Sequence, residues 1–153
     1  MGNNRMTYVP PWWEKTITVY NRYEDPTTRV ITWHRHKIDD CFWTYEGNQL
    51  TIGNTTLETN TTICRIPQDK LYLEKYQWNA LPNDSLNNYF TLGVGDIIIL
   101  GDVSDVVDEY ASGHRSTDLI NKYKDLQGCI IVQNVVNNTG TARCIPHYLV
   151  RGE

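Results

Sequence analysis

The side chains with which this chain of 153 residues could bind a metal or support catalysis are four histidines and four cysteines. His34 and His36 lie two residues apart in an alternating segment, which places both imidazoles on one face of a β-strand. Such a pair can chelate a metal, but zinc and iron sites need a third and a fourth ligand. His114 and His147 stand in no recognisable spacing to the pair. A polar stripe on the strand surface is therefore the preferred interpretation, and no metal or other cofactor is expected.

The cysteines are widely spaced, and each lies in an apolar strand pattern. They are Cys41, Cys64, Cys129 and Cys144. The N-terminus is polar and lacks an apolar signal core, and no run of the chain is long and apolar enough to span a bilayer. We therefore expect reduced thiols buried as small hydrophobic side chains, unused Asn-X-Ser/Thr sequons, and no membrane partner.

The remaining catalytic patterns are absent or incomplete. Gly93-Val94-Gly95-Asp96 is not followed by Gly-Lys-Ser/Thr and precedes a strand rather than a helix, unlike a phosphate-binding loop. No nucleophile elbow is present. The carboxylate pairs Glu24-Asp25 and Asp39-Asp40 lie in predicted turns, where solvation accounts for them. The sequence does not predict an enzyme.

Charge is unevenly distributed along a chain whose net charge is −4. Residues 1–37 contain six Lys/Arg and three Asp/Glu, whereas residues 96–118 contain six acids and one arginine. This asymmetry would suit subunits that stack end to end. Two candidate surfaces follow: a weak basic face of Arg22, Arg29, Arg35 and Lys37, and an acidic loop of Asp102, Asp105, Asp108 and Glu109 that faces a partner or a channel.

The element that the others must surround is a short apolar strand between Leu92 and Val103. Ile97 to Leu100 are four consecutive aliphatic residues, bounded by Gly95-Asp96 and Gly101-Asp102. This pattern predicts a strand buried on both faces. Before it, polar and apolar residues alternate over 16–23 and 28–38, which predicts a hairpin followed by a turn that begins at Asp39-Asp40. Further strands are predicted over 41–45 and 49–67, with a turn at Gly53-Asn54.

After the central strand, residues 116–126 predict the principal helix. Ser116 or Thr117 would cap it, and Leu119, Ile120 and Tyr123 lie at helical spacing, so one face should pack on the sheet. Residues 103–107 favour a strand beside the acidic loop, and residues 129–136 and 142–151 are the closing strands. The fold class is mainly β: a small barrel or sandwich of about eight strands with one packed helix, forming a single domain over residues 16–153.

Residues 1–15 are predicted to form an N-terminal arm. Pro10 and Pro11 force extended backbone, and Trp12 and Trp13 follow directly. Two interpretations remain open: the arm docks on a neighbouring subunit, or one of the tryptophans plugs the end of its own barrel.

The order of elements resembles small proteins of the head–tail morphogenesis module of tailed bacteriophages with Gram-positive hosts. The likeness is carried by Ile17 to Tyr23, Leu92 to Gly101, Ser116 to Tyr123 and the final strand ending at Val150. Head-completion or stopper proteins share this general plan. The Pro-Pro-Trp-Trp arm and the long segment from Gln49 to Asn88 depart from it.

The resemblance implies a virion structural protein at the neck, assembled in the host cytoplasm. Such a subunit forms a homo-oligomeric ring, commonly of six or twelve copies, that joins the portal or adaptor to the tail and retains genomic DNA without binding it specifically. A tail-terminator or another neck completion protein is an alternative. An alternative of another class is a monomeric barrel that binds oligonucleotides or small ligands through the basic face.

Overall fold

A computed structural model describes residues 9–124, 128–140 and 145–153, with the backbone alone described over 46–51 and 57–60. The strands are β1 Lys15–Glu24, β2 Ile31–Ile52, β3 Thr55–Pro67, β4 Ile97–Leu100, β5 Cys129–Asn137 and β6 His147–Gly152. Two α-helices, α1 Lys75–Asn79 and α2 Ser116–Tyr123, and a 3₁₀ helix over Asn83–Asn88 complete the elements of these residues. The predicted strand of residues 103–107 does not form, and residues 125, 126 and 142–144 of the predicted elements lie outside the described part.

The strands form a closed antiparallel barrel in the order β1-β2-β3-β6-β5-β4, with β4 pairing back onto β1. The mainly β fold with a packed helix, predicted from the sequence, is therefore confirmed. The seam between β3 and β6 lies opposite the seam between β1 and β4, because three strands separate them in each direction around the barrel.

The barrel interior is a continuous hydrophobic core. Its buried members come from all six strands and from the segment before β4, and they include Ile17, Val19, Cys64, Phe90, Ile98 and Val150. Because alternate residues of a strand face opposite sides, Ile97 and Ile99 point outward, where a second cluster buries them. The prediction that the apolar run is buried on both faces is confirmed: Ile97, Ile98 and Ile99 are at most 1% exposed.

The predicted turn at Asp39-Asp40 is wrong, since β2 continues through it as one strand of 22 residues. Asp40 adopts a left-handed φ of 61°, and the register with β1 shifts between Lys15 and Ile17. An extra residue on one strand is a β-bulge, which bends and twists a strand without reversing it. Pieces that looked like separate strands thus form one strand, so the described chain has six strands instead of about eight.

Helix α2 covers the outer face of the barrel at the β1–β4 seam. Leu119 and Tyr123 pack with Tyr20, Ile97 and Ile99, as the helical spacing predicted. The cap differs from the prediction, because the N-terminal flanking residue is Arg115, whose backbone N–H donates to the Asp118 carboxylate at 3.0 Å. An acid at this position also suits the positive end of the helix dipole.

The β2–β3 hairpin extends well beyond the barrel. Strand β1 pairs with β2 only as far as Cys41, and β6 pairs with β3 only from Thr62 onward. The pairs from Glu46–Thr61 to Ile52–Thr55 therefore have only each other as strand partners within the described residues. At about 3.3 Å per residue, these seven pairs form a ribbon about 20 Å long.

Candidate assembly site

The N-terminal arm folds back onto the outer face of its own barrel through Trp13. The Trp13 backbone N–H donates to the Pro10 carbonyl at 3.0 Å, which closes a turn over Pro11 and Trp12. The backbone therefore turns here instead of staying extended as predicted, since proline also suits the second position of a turn. The Trp13 ring lies edge-on to His147, with ring centroids 5.6 Å apart, and tilted against Phe42 at 6.3 Å. Trp13 is 7% exposed, whereas Trp12 is 68% exposed. Trp13 therefore packs on the outer face of its own barrel rather than plugging its end, and Trp12 is presented to solvent. Docking of the arm on a neighbouring subunit stays a prediction.

An aromatic groove of about 490 Å³ lies beside this arm. Its lining comes from the arm, from β2, β3 and β6, and from the segment before β6, and consists of Pro10, Trp12, Trp13, Phe42, Arg65, Ile145 and His147. A volume of this size is within the range of pockets that hold ligands or partner side chains. Pro11 is exposed beside it.

One cation gives the groove its polarity. The Arg65 guanidinium lies 6.0 Å from the centroid of the Phe42 ring, a cation–π arrangement, and its Nη1 lies 3.1 Å from His147 Nε2. His147 Nδ1 contacts the Ile145 carbonyl. A neutral imidazole protonated at Nδ1 satisfies both contacts, since Nε2 then accepts from arginine. The groove therefore combines apolar ring surface with one positive charge.

The acidic loop lies on the opposite side of the barrel, and its carboxylates are engaged within the chain. Asp102 accepts from Arg35 Nη2 at 2.6 Å, and the Glu109 carboxylate accepts from the Ser116 backbone N–H at 2.6 Å. Asp108 accepts from the Tyr110 backbone N–H at 2.9 Å and remains exposed to solvent. The loop is thus an ordered turn region rather than a row of unattached charges.

Asp105 fastens this loop to helix α2. Its carboxylate accepts from the Tyr123 hydroxyl at 2.5 Å and from Lys122 Nζ at 2.8 Å, and the Tyr20 hydroxyl donates to its backbone carbonyl at 2.7 Å. The hydrogen bonds from Lys122 and Tyr123 hold the pKa of Asp105 below its usual value. Burial, followed by the charge of Asp105, raises the pKa of Tyr20 to about 12. The loop conformation is therefore fixed from both the helix and the sheet.

Two apolar side chains of this loop are exposed: Val106 is 79% exposed and Tyr110 is 63% exposed. The neighbouring Val103 and Val107 are buried under α2. Residues Val106 to Tyr110 therefore present an apolar and acidic surface, with Asp108 exposed between the two apolar side chains.

The predicted basic face is largely neutralised by neighbouring acids. Arg35 pairs with Asp102, and Arg29 and Lys37 lie 3.9 Å and 3.6 Å from the carboxylates of Glu24 and Asp39. Arg22, on β1, is half-buried, and its backbone N–H donates to a carboxylate described below. Three of the four cations thus have a local counter-ion, which weakens any attraction for a phosphate backbone.

Asp96, which was predicted only as part of a turn, organises the end of the barrel. Asp96 is fully buried and accepts from Asn21 Nδ2 at 2.9 Å and from the backbone N–H groups of Arg22 and Gly93 at 3.0 Å each. Lys75 Nζ, from α1, lies 3.2 Å from it and also donates to the Arg22 carbonyl at 2.9 Å. The position of Asp96 directly before an apolar strand could have indicated this role, because a carboxylate there can accept hydrogen bonds from the N–H groups of the turn.

The two strand histidines do not form a surface stripe, contrary to prediction. His34 Nδ1 lies 2.7 Å from the Asn87 side-chain oxygen, and its ring lies edge-on to Trp78. His36 stacks on Phe90 with ring centroids 4.7 Å apart. Both are half-buried, and burial lowers both pKa values. Within the described residues no group of three or more His, Cys, Asp or Glu side chains could hold a metal ion.

The described cysteines are free thiols that pack as hydrophobic side chains. Cys41 and Cys64 are fully buried inside the barrel, and Cys129 packs against the outer cluster. Burial raises the pKa of Cys129 to about 11, so its thiol stays protonated at neutral pH. Cys144 lies outside the described residues.

The fold and these surfaces define the class of the protein as a closed six-stranded antiparallel barrel with an aromatic arm groove on one side and a helix-bound acidic loop on the other. The chain belongs to a family of unknown function, DUF6751, whose model matches residues 12–153. The match includes both tryptophans of the arm. No curated protein and no solved structure matches the chain. Among the described residues, none of the helices has the length and apolar character needed to cross a membrane.

Proposed function

We propose that this protein is a ring-forming structural subunit of the neck of a tailed bacteriophage, which joins the portal or adaptor to the tail and helps to retain the packaged DNA. The proposal combines the resemblance of its sequence to head-completion proteins with features of its surface that are suited to assembly. The resembling segments are the elements that build the fold, namely β1, the turn and strand of β4, helix α2 and β6.

The observation that carries the proposal is the projecting β2–β3 ribbon. A two-stranded ribbon is marginally stable alone in water, and the backbone of a strand edge readily pairs with another chain. In this protein the ribbon extends past every other strand of the described barrel. Such a ribbon reaches from one subunit to its neighbours or to the adjoining layer of a stack.

The sequence of the ribbon supports exposure to a partner rather than membership of the barrel core. Residues 46–52 and 55–61 contain five threonines and three amide side chains, with Glu46 and Glu58 as the charged residues. Threonine favours strands, and uncharged polar side chains can enter an interface at a lower desolvation cost than charged ones.

A ribbon-shortening variant tests the proposal. Residues 47–60 are replaced by Asn-Gly, which joins the paired residues Glu46 and Thr61 by a two-residue hairpin turn. We expect the wild type to form closed rings by native mass spectrometry and negative-stain microscopy. The shortened variant should keep the far-ultraviolet circular dichroism of a folded barrel but need at least about tenfold more protein to form rings, because it loses one of its contacting surfaces. Val94→Thr, at a residue 75% exposed elsewhere on the surface, is the control and should still form rings.

Two results would count against the proposal. If the wild type stays monomeric at all concentrations, alone and when mixed with a phage portal protein, the protein is not a ring-forming subunit. If antibodies against it label purified virions away from the head–tail junction, or do not label them, it is not a neck protein. Rings formed equally well by the shortened variant would remove the role of the ribbon alone.

A further inference from the structure

We infer that the aromatic groove of one subunit receives the Val106–Tyr110 loop of the next copy, so that the subunits join head to tail. This inference rests on the proposed ring-forming function and identifies the surfaces in contact. The occupant is a second copy of this chain because the two surfaces are complementary in chemistry and lie on opposite sides of one molecule.

The chemistry of the two surfaces matches. The groove offers the ring of Trp12, 68% exposed, together with the positive charge of Arg65. The loop offers Val106, 79% exposed, with the exposed carboxylate of Asp108 two residues further along. An apolar side chain against tryptophan, with a carboxylate near arginine at its side, is the arrangement found at the centre of protein interfaces.

The placement of the two surfaces makes the contact directional. Phe42, Arg65 and His147 put the groove on the outer face of β2, β3 and β6. The loop lies with α2 on the outer face of β1 and β4, and the Tyr110 hydroxyl accepts from the Ile31 N–H at the start of β2 at 2.9 Å. The β3–β6 seam within the groove face is opposite the β1–β4 seam that the loop and α2 cover. A contact between two different patches is heterologous, and repeated with a fixed rotation it generates a ring, whereas a self-complementary patch stops at a dimer.

Both surfaces are held in place before they meet. Trp13 fixes the arm on Phe42 and His147, and Asp105 fixes the loop to Tyr123 and Lys122. Association therefore requires little ordering of either surface, which lowers the entropic cost of binding. A fixed geometry also sets a single rotation between neighbours, which a closed ring requires.

A photocrosslinking experiment tests the contact at the residue level. p-Benzoylphenylalanine in place of Trp12 is introduced into isotope-labelled protein, which is mixed with unlabelled wild type, allowed to form rings and irradiated. We expect crosslinks between chains that map by mass spectrometry to residues 103–110 of the unlabelled copy. Rings whose interchain crosslinks map elsewhere would overturn this inference while leaving the proposed function intact. A wild type that forms no rings, alone or with the portal, would overturn both.

A mixing experiment tests the direction of the contact. The groove variant carries Trp12→Ala and Arg65→Glu, and the loop variant carries Val106→Ser and Asp108→Lys. Each variant has one intact surface, so alone each should need at least about tenfold more protein to assemble. Mixed in equal amounts, they should form a one-to-one dimer and stop, because a single complementary pair of surfaces remains.

Val94→Thr again serves as the matched control, since it removes a similarly exposed valine away from both surfaces. It should assemble at the wild-type concentration. Rings formed by either double variant at the wild-type concentration, or a mixture that yields no dimer, would refute the head-to-tail contact. Circular dichroism of each variant establishes that the barrel is folded before its assembly is measured.

Discussion

Replacing Trp13 by alanine should separate the two tryptophans of the arm by their effect on stability. Trp13 is 7% exposed and packs on Phe42 and His147, so the substitution removes a large buried ring and leaves a cavity. Such truncations cost about 3–5 kcal/mol. Because Trp13 lies on the outer face rather than inside the barrel, we expect the lower end, a loss of about 3 kcal/mol in the free energy of unfolding.

Trp12→Ala is the matched control, because the two residues are adjacent and have the same chemistry. At 68% exposure, Trp12 should change the free energy of unfolding by no more than about 0.5 kcal/mol. For a chain of this size, about 3 kcal/mol corresponds to a decrease in Tm of about 6–12 °C. Urea unfolding followed by far-ultraviolet circular dichroism measures both variants without relying on tryptophan fluorescence.

The result that would refute this reasoning is a stability of Trp13→Ala within about 0.5 kcal/mol of the wild type. The arm would then not pack on its own barrel in solution, and both tryptophans would be available to a neighbour. An altered m-value would indicate a change in the surface exposed on unfolding rather than a simple loss of packing.

Three further predictions concern the interior and the ends of the barrel. Asp96→Asn should lower the free energy of unfolding by about 2–4 kcal/mol in urea titrations, because asparagine turns one acceptor oxygen into a donor that faces N–H groups. Lys75→Met should cost less. A larger loss for Lys75→Met would contradict this. Gly152→Ala should cost about 1–3 kcal/mol by the same assay, because a Cβ there would collide with the Ile131 carbonyl; Gly140→Ala, where a Cβ meets open space, is the control, and equal effects would refute the argument. Burial, followed by the charge of Arg35, lowers the pKa of His36 in the folded state from 6.5. The unfolded chain therefore binds the proton more readily, so the free energy of unfolding should fall as the pH is lowered from about 7 to about 5. In thermal unfolding at several pH values His36→Gln should reduce this slope, and an unchanged slope would show that His36 does not contribute to it.

The sequence determined the elements whose patterns are local. The run Ile97 to Leu100 between two Gly-Asp pairs gave a strand buried on both faces, and the spacing of Leu119 and Tyr123 gave a helix packed on the sheet. Hydrophobic periodicity carries this information because it reflects which face of an element is dry. The fold class followed from these patterns and from the short connections between strands.

Tertiary structure decided what depends on residues distant in the chain. Asp39-Asp40 has the composition of a turn, but pairing with β1 makes Asp40 a bulge and leaves β2 continuous. His34 and His36 alternate like surface residues, but Trp78 and Phe90, brought over the end of the barrel, cover them. Local composition indicates which conformations the backbone of a segment can adopt, whereas pairing with a neighbouring strand decides which one it adopts.

The candidate site shows the same division. Adjacent tryptophans after two prolines predicted an arm that contacts protein, and the clustering of acids predicted a charged loop. Which tryptophan is buried depends on Phe42 and His147. Which carboxylates are engaged within the chain depends on Arg35, Lys122 and Ser116. The sequence by itself therefore specified a mainly β fold, either barrel or sandwich, and the strand at its core. The pairing of β4 with β1 closes the sheet into a barrel and so puts the groove and the loop on different sides of it. Local patterns could not decide this, because the pairing joins residues that are far apart in the chain.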